Sequence, residues 1–359
     1  MTVDEPANPF GVYLHIPFCA SKCDYCAFAT WTDRHHLSGA YLEALCVEIG
    51  RAVDHGMPTA SSVFVGGGTP SLVEPEALAA VIRTIPTAPG AEITVECNPD
   101  DVSERLVETY ASSGVNRISL GVQSMASHVL GSLGRRHDRR NVERAVSAIR
   151  AVGLASFNLD LIYGAAGESL EDWSETVRAA VQLEPPHVSA YALTIEAGTP
   201  LAGQPDRHPD EDDQADKYEL VDDLLVAAGL ANYEISNWAI PGHECRHNVL
   251  YWRQQDYRGF GCAAHSHESG RRWWNVRTPD RYIDLVADGA STEAAGEDLD
   301  PEVRRFERFE LMLRMRDGVP VELLDGDALP GLVDRVGDRW VLTRAGRLLA
   351  NDIATRLIV

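Results

Sequence analysis

Six short β-rich runs with helical segments between them constrain the fold of this chain more than any other feature. The runs begin at residues 12, 62, 93, 117, 157 and 188. Two of the intervening helical patterns close on Gly114 and Gly153, and glycine is a common residue at the end of a helix. Alternating strands and helices predict a parallel sheet. Six such units fit a full or partial (β/α) barrel, with its working residues at the carboxyl ends of the strands.

Beyond residue 200 the alternation stops, and the sequence divides into three regions. Residues 1–200 carry the βα units, and residues 201–299 begin with an acidic run and continue into an aromatic-rich section. Residues 300–359 have the pattern of a helix, a turn, a second helix, a short strand and a last helix, which resembles a small winged-helix domain. The sequence therefore predicts an α/β protein in which a barrel is followed by an extension and a small C-terminal domain.

The charge balance argues against a nucleic-acid partner. Lys and Arg total 32 against 54 Asp and Glu, for a formal net charge of -22, so a phosphate-neutralising surface is missing on average. No apolar stretch approaches the ~20 residues of a membrane-spanning helix. The first ten residues are acidic and lack the basic and apolar regions of a signal peptide. We therefore expect a cytoplasmic protein with no nucleic-acid partner and no membrane span.

Three of the seven cysteines lie close together, in the segment HIPFCASKCDYCAF that follows the first β-rich run. They are Cys19, Cys23 and Cys26, whereas the other four are scattered along the chain. Three converging thiolates can ligate three irons of a [4Fe-4S] cubane and leave the fourth iron open. An open iron suits a chelating amino acid, and S-adenosylmethionine supplies an amine and a carboxylate. Structural zinc is the alternative, although zinc sites usually pair C-x2-C spacings and need a fourth protein ligand.

The C-x3-C-x2-C spacing, with the aromatic Tyr25 before its last cysteine, resembles the radical S-adenosylmethionine (radical SAM) superfamily. Within that superfamily, five strings resemble the oxygen-independent coproporphyrinogen oxidase family: VYLHIPFC, GGGTP, ECNPD, LGVQS and DLIYG. The resemblance runs from about residue 11 to residue 274. It implies a partial (β/α)6 barrel of the radical SAM class, with a [4Fe-4S] cluster on the three clustered cysteines.

The same strings supply candidate contacts to S-adenosylmethionine. Glycine lets backbone approach a ligand closely, and the resemblance implies that the GGGTP loop cradles the methionine amino group. Carboxylates and amides can bind ribose hydroxyls or an ammonium, and a guanidinium suits a carboxylate. Capping or surface roles are the alternative for the polar side chains. The candidates are Tyr13, Tyr25, Gly67, Gly68, Thr69, Glu96, Gln123, Arg135 and Asp160.

One string departs from the family pattern. After DLIYG the family usually continues with Leu-Pro-Gly, but this chain has Ala165, Ala166 and Gly167. A stiff turn is replaced by a softer one, which leaves the expected functional side chains in place.

Two features separate the oxidases from their heme-binding relatives. The oxidase family has the pattern C-x3-C-x2-C-x-C, whereas this chain has Phe28 at the position of the fourth cysteine. The segment HNVLYW, residues 247–252, matches the H-N-x-x-Y-W motif of the HemW-type heme chaperones. Imidazole is a common axial ligand of heme iron, and aromatic rings can cover a porphyrin face. His247 is therefore the candidate heme residue, with Cys245 and His265 as further candidates.

The sequence thus predicts a heme chaperone that binds heme through the His247 motif and transfers it to an acceptor protein. The cluster, S-adenosylmethionine and an electron donor would support or regulate the transfer. The alternative is an oxygen-independent coproporphyrinogen III oxidase, which decarboxylates propionates to form protoporphyrinogen IX. A zinc-stabilised interaction protein is a third hypothesis. Phe28 and HNVLYW favour the chaperone.

Overall fold

One twelve-stranded sheet organises the chain in a computed structural model that describes residues 9–356. Its central strands are β1 (Phe10–Ile16), β2 (Ala60–Gly67), β3 (Thr87–Cys97), β4 (Arg117–Gln123), β5 (Ser156–Tyr163) and β6 (His187–Ala192). They follow one another in sequence order, and every pairing between neighbours is parallel. The prediction of a parallel α/β sheet built from six βα units is confirmed.

Six helices connect the central strands. They are α1 (Ser38–Asp54), α2 (Pro75–Arg83), α3 (Glu104–Ser112), α4 (Ser127–Ser132), α5 (Arg139–Val152) and α6 (Leu170–Gln182). Sequence signals set their ends: Asp138 and Asn141 form a reciprocal capping box at the start of α5, and Gly153 ends that helix with φ 77°.

Side chains alternate between the two faces of each strand, and the two faces differ in chemistry. On β4, Ile118 and Leu120 belong to the main hydrophobic core shared with the helices. Arg117 and Ser119 alternate with them and occupy the opposite, inner face, where Ser119 donates a hydrogen bond to Asp160. Helices therefore cover one face of the sheet, while the inner face carries polar groups that are available for binding.

The region 201–299 extends the sheet at both edges. Its elements are α7 (Glu211–Ala227), β7 (Ala231–Glu234), β8 (Asn237–Ala239), α8 (Arg246–Trp252), β9 (Asp256–Phe260), β10 (His265–Glu268), β11 (Arg271–Asn275), α9 (Pro279–Ala287) and β12 (Glu293–Asp298). Strand β9 pairs in parallel with β1, and β8 pairs antiparallel with β6. Because both outer strands of the six are paired with these additions, the barrel stays partial.

A small C-terminal unit follows, with a three-stranded antiparallel sheet and its own hydrophobic core. Its elements are α10 (Pro301–Leu313), β13 (Val319–Pro320), β14 (Val333–Val336), β15 (Arg339–Leu342), α11 (Arg344–Leu348) and α12 (Ala350–Arg356). The second helix expected here is instead two 3-10 turns, Val321–Leu323 and Gly326–Ala328, because this stretch is rich in Asp, Gly and Pro.

Ion pairs hold the C-terminal unit against the barrel. Asp222 of α7 is nearly buried, and its Oδ2 lies 2.7 Å from Nε of Arg344 and 2.9 Å from Nη2 of Arg347. Both arginines lower the pKa of Asp222, although burial opposes them as the largest single influence. Among residues 9–356, no helix is both long and apolar enough to cross a membrane.

Candidate cofactor site

The three clustered cysteines lie on the loop that follows β1, as the sequence predicts. The base of this loop is fixed by backbone hydrogen bonds, from Cys19 N to Trp31 O at 3.1 Å and from Trp31 N to Pro17 O at 2.8 Å. Further along, Cys26 N donates to Cys23 O, which makes a tight turn between these two cysteines. All three thiols are free and partly exposed, so they are accessible to a metal cluster.

Neighbouring groups offer hydrogen-bond donors to the thiols, while burial opposes ionisation of the thiols. Thr69 donates from Oγ1 to Cys19 Sγ at 3.6 Å, and Nη1 of Arg135 lies 4.0 Å from Cys23 Sγ. Burial raises the pKa of Cys19 and Cys26, and the charge of Cys23 acts in the same direction on both. The three sulfurs therefore influence one another in a common environment. Thr69 and Arg135 offer donors that stabilise thiolate charge.

The described donor side chains do not form a site for a single metal ion. No group of three or more His, Cys, Asp or Glu side chains within residues 9–356 is arranged to hold one metal ion. A cubane differs from such a site because each thiolate ligates a different iron, so its ligands need not converge on one point. Three free thiols on one fixed loop fit a [4Fe-4S] cluster.

The loop after β2 places bare backbone beside the cysteine loop. Gly68 N donates to Ile16 O at 2.7 Å, and a Cβ at Gly68 would lie 2.7 Å from Phe18 O and 3.0 Å from Cys19 Sγ. Gly67 has φ 109°, and its Cβ would meet the ring of His15 at 2.5 Å. Side chains larger than hydrogen do not fit at either position, which agrees with a backbone cradle for a ligand beside the cluster.

Two carboxylates approach one another on the inner face of the sheet. Glu96, near the end of β3, accepts a hydrogen bond from Gly67 N at 3.2 Å. Asp160 of β5 accepts from Ser119 Oγ at 2.7 Å and from Asn158 Nδ2 at 2.8 Å. Burial, with a smaller contribution from the charge of Asp160, raises the pKa of Glu96 to about 8. Burial also raises the pKa of Asp160. Buried acceptors of this kind are suited to ribose hydroxyls or an ammonium.

The raised pKa of Glu96 leads to a prediction for the protein without S-adenosylmethionine. The folded state favours the protonated carboxyl, so this contribution to stability is complete below the ordinary pKa of 4.5 and is lost as pH rises through about 8. Because glutamine does not ionise, Glu96→Gln should raise the free energy of unfolding by up to about 5 kcal/mol at about pH 9 and change it little at about pH 4. Denaturation across this pH range checks the result, and identical pH dependence of the two proteins would contradict it.

Three more of the predicted contacts meet around the end of β4. Gln123 has a positive φ of 64°, an uncommon backbone conformation outside glycine. Arg135 donates from Nη2 to Asn98 Oδ1 at 2.7 Å and to Gly121 O at 2.9 Å. Tyr25 is half-buried in a small cluster under the cysteine loop. These positions bring Gln123, Arg135 and Tyr25 to the same edge as the cysteines.

The structure adds His15 and Asn98 to the predicted set. Tyr13 and His15 share the inner face of β1, and Tyr13 Oη lies 3.1 Å from His15 Nδ1. His15 Nε2 lies 2.9 Å from Ala29 O, so this ring joins the strand to the cysteine loop. Burial lowers the pKa of His15 to about 4. The two-residue alternation of a strand was a signal for His15 in the sequence, because it puts His15 beside Tyr13.

His247 lies deeper than the other candidates. It is on α8, fully buried against the inner face of the sheet, and its ring stacks on Phe64. Its Nδ1 lies 3.0 Å from Ser62 Oγ and its Nε2 lies 2.9 Å from Tyr251 Oη. Burial lowers the pKa of His247 to about 3. In this arrangement both ring nitrogens are engaged, and Tyr251 stands between His247 and open space.

A carboxylate fixes the start of this helix. Glu92 of β3 accepts hydrogen bonds from the backbone N–H groups of Arg246 and His247, each at 3.2 Å. Cys245, a further heme candidate in this segment, is buried with its Sγ 3.5 Å from Glu92 Oε1. The negative charge suits the positive end of the short helix, and it positions HNVLYW against the inner face of the sheet.

A cavity of about 820 Å³ connects the motif with the cysteine loop. Residues 27–29 of that loop form one part of its wall, and Tyr251 of the motif forms another. Aromatic and imidazole rings form a large part of the lining, among them Tyr13, His15, Tyr257, His265 and Trp274. His265 and Trp274 are stacked with 5.7 Å between their ring centroids. A flat, largely apolar ligand with a metal at its centre is suited to such a lining.

Comparison with known proteins agrees with this geometry. Residues 13–180 match the Radical SAM superfamily. The chain is 42% identical to the heme chaperone HemW of Mycobacterium tuberculosis (strain ATCC 25618 / H37Rv), across 98% of this chain and 96% of that protein. It is 36% identical to the heme chaperone HemW of Escherichia coli (strain K12), across 96% and 97%.

A solved structure shares the fold. The coproporphyrinogen III oxidase HemN from Escherichia coli, described as a radical SAM enzyme, superposes with a TM-score of 0.84 at 22% identity. The match covers 98% of this chain and 90% of that one. This likeness confirms the architecture, while the sequence relatives identify the branch. The chain therefore belongs to the HemW heme chaperone family, within the radical SAM superfamily.

Proposed function

We propose that this chain binds heme in the cavity beside HNVLYW and transfers it to an acceptor protein. The observation that carries the proposal is the 820 Å³ cavity, which is lined by Tyr251 of the motif and reaches the cysteine loop. As a radical SAM protein the chain carries a [4Fe-4S] cluster and binds S-adenosylmethionine. Heme and an acceptor protein are its partners as a heme chaperone.

The residues of the carboxyl edge divide between the cofactors in this proposal. Cys19, Cys23 and Cys26 hold the cluster. Bound S-adenosylmethionine supplies an amine and a carboxylate as chelating groups. Its proposed contacts fall into three groups: the backbone of the GGGTP loop with Thr69, groups on the inner face of β1 and β3–β5, and side chains beside the cysteine loop. Together with Thr69 they are Tyr13, Tyr25, Gly67, Gly68, Glu96, Gln123, Arg135 and Asp160.

We place the porphyrin against Tyr251 and the rings around it. His247 supports this wall through its hydrogen bond to Tyr251, and it reaches a heme iron only after leaving its bonds to Ser62 and Tyr251. His265 is exposed within the cavity, so an imidazole is available there without rearrangement. The motif thus contributes to heme binding by shaping the cavity as well as by its imidazole.

Hemin titration of the cluster-loaded protein tests the proposal. Wild type should bind one hemin at the cavity with a shift of the Soret band. His247→Ala should weaken this binding about tenfold, since Tyr251 loses its partner and the cavity wall loosens. His55→Ala is the control, because His55 is exposed at the end of α1 and far along the chain from the motif. Retention of iron in both variants shows that they fold.

The same titration locates the iron ligand. A changed Soret band in His265→Ala with an unchanged one in His247→Ala assigns ligation to His265. If His247→Ala, His265→Ala and the control His55→Ala all matched wild type in hemin affinity and spectrum, heme would bind away from this cavity. That result would contradict the proposal. Cys245 is the remaining candidate of the segment.

The remaining parts of the proposal follow from the sequence. An electron donor reduces the cluster, and a cytoplasmic location suits the reduced thiols. The alternative function, an oxygen-independent coproporphyrinogen III oxidase, has the likeness of fold in its favour. Phe28, which lines the cavity where the oxidase pattern has a cysteine, favours the chaperone.

A further inference from the structure

We propose that a second cleft, on the C-terminal unit, is a separate binding site for a porphyrin dicarboxylate. The cleft has a volume of about 680 Å³ and lies between the segment that follows α8 and the elements α10, β14 and β15. This inference rests on the proposed heme chaperone function, because it assigns the cleft to the same class of ligand.

The positive charge of the cleft lining supports this proposal. In a chain with a formal net charge of -22, the side chains of Arg253, Arg308, Arg316 and Arg339 line this cleft together with only one acidic residue, Asp317. Guanidinium groups gathered in this way are suited to carboxylates, which they bind through paired hydrogen bonds.

Some of this positive charge has no carboxylate partner among residues 9–356. Arg308 is exposed and forms no hydrogen bond or ion pair with any residue in the range 9–356. Within the described part of the chain, Arg339 donates to the backbone carbonyls of Asp317 and Gly318 and to no carboxylate. By contrast, Arg316 pairs with Glu244 at 3.0 Å. The cleft therefore presents the unneutralised charge of Arg308 and Arg339 to a ligand.

The apolar part of the cleft lining also supports the proposal. Met312, Met315, Val336 and Val341 share the cleft with the arginines. Met315 is nearly buried, whereas Val336 is 61% exposed. Methionine adapts its shape to flat or irregular ligands. An apolar ring that carries two carboxylates matches this combination of apolar surface and arginine, and a porphyrin with two propionates has that form.

The position of the cleft beside the larger cavity also supports the proposal. Gln254 and Gln255 line both the second cleft and the larger cavity, and they come two and three residues after the end of HNVLYW. A ligand that leaves the larger cavity along this segment meets the arginines next. The cleft is thus placed to hold a porphyrin between the first site and an acceptor protein.

Titration of the full-length, cluster-loaded protein with hemin and with hemin dimethyl ester tests this site. Wild type should bind a second, weaker equivalent of hemin, and Arg308→Glu should weaken that second equivalent about tenfold or more while preserving the first. The ester, which lacks free carboxylates, should bind equally to both proteins at this step. Arg305→Glu is the matched control, since Arg305 is exposed on the same helix and does not line the cleft.

The outcomes separate this inference from the proposed function. A wild-type protein that binds no hemin at all would contradict the proposed function. Normal binding of a first equivalent, with identical second-phase behaviour for Arg308→Glu and Arg305→Glu, would overturn the second site alone. Unchanged hemin binding with slower delivery to an acceptor protein in Arg308→Glu only would also overturn it, because the cleft would then bind an acidic segment of the acceptor.

Discussion

Changing any one of Cys19, Cys23 or Cys26 to alanine should reduce the iron content after anaerobic reconstitution from about four per chain to near zero. A cubane held at only two protein corners loses its anchoring, and the fixed loop base offers no spare thiol in its place. The backbone hydrogen bonds that join Trp31 to Cys19 and to Pro17 set the loop independently of the cluster, so the fold should survive the substitution. Iron and sulfide analysis together with the visible absorbance of the cluster measures the effect.

Cys46→Ala supplies the control for this experiment. Cys46 is half-buried on α1 and packs against the main core, so its loss should leave the iron content unchanged. A triple alanine variant at Cys19, Cys23 and Cys26 that kept the full cluster absorbance would show that the cluster is held elsewhere.

A second large effect concerns catalysis, because the protein should convert essentially no coproporphyrinogen III to protoporphyrinogen IX. Decarboxylation of a propionate requires the reacting hydrogen to be held in near contact with its abstracting group, in addition to a source of radicals. The oxidase pattern has a cysteine two residues after Cys26, but this chain has Phe28, which is 63% exposed and lines the cavity. Product analysis under anaerobic conditions should therefore find less than about one product per chain.

Much of the barrel could be predicted from the sequence because its signals are local. Short β-rich runs identified the strands, and Gly114 and Gly153 identified helix ends, both with positive φ in the structure. Since parallel strands share one carboxyl edge, residues as far apart as Cys19 and Asp160 could be expected at one site. The signal for the cysteine loop was its spacing, which does not depend on the fold.

The placement of HNVLYW could not be predicted in the same way. Its helix lies on the inner face because Glu92 binds the backbone at its start and Ser62 binds His247, and these partners are far away in sequence. No local periodicity encodes such contacts. The motif could be recognised in the sequence, but the burial of His247 behind Tyr251 could therefore not be predicted from it.

The strands added by the extension were hidden for a related reason. Strand β9 pairs with β1, and β8 pairs with β6, so each match depends on a partner more distant than any short window contains. Short strands such as Asn237–Ala239 also carry too few residues for a periodic pattern. The six central strands of the sheet could thus be predicted from the sequence, whereas the strands at its two edges could not.

The most direct test of the central claim is a single anaerobic incubation of the cluster-loaded protein with coproporphyrinogen III, a reductant and S-adenosylmethionine. The measured quantity is protoporphyrinogen IX formed per chain, because slow cleavage of S-adenosylmethionine on its own would not distinguish the two functions. The account predicts no product above the protein-free control, from a preparation that binds hemin in a parallel sample. Sustained formation of many products per chain would contradict it and make the protein a coproporphyrinogen oxidase.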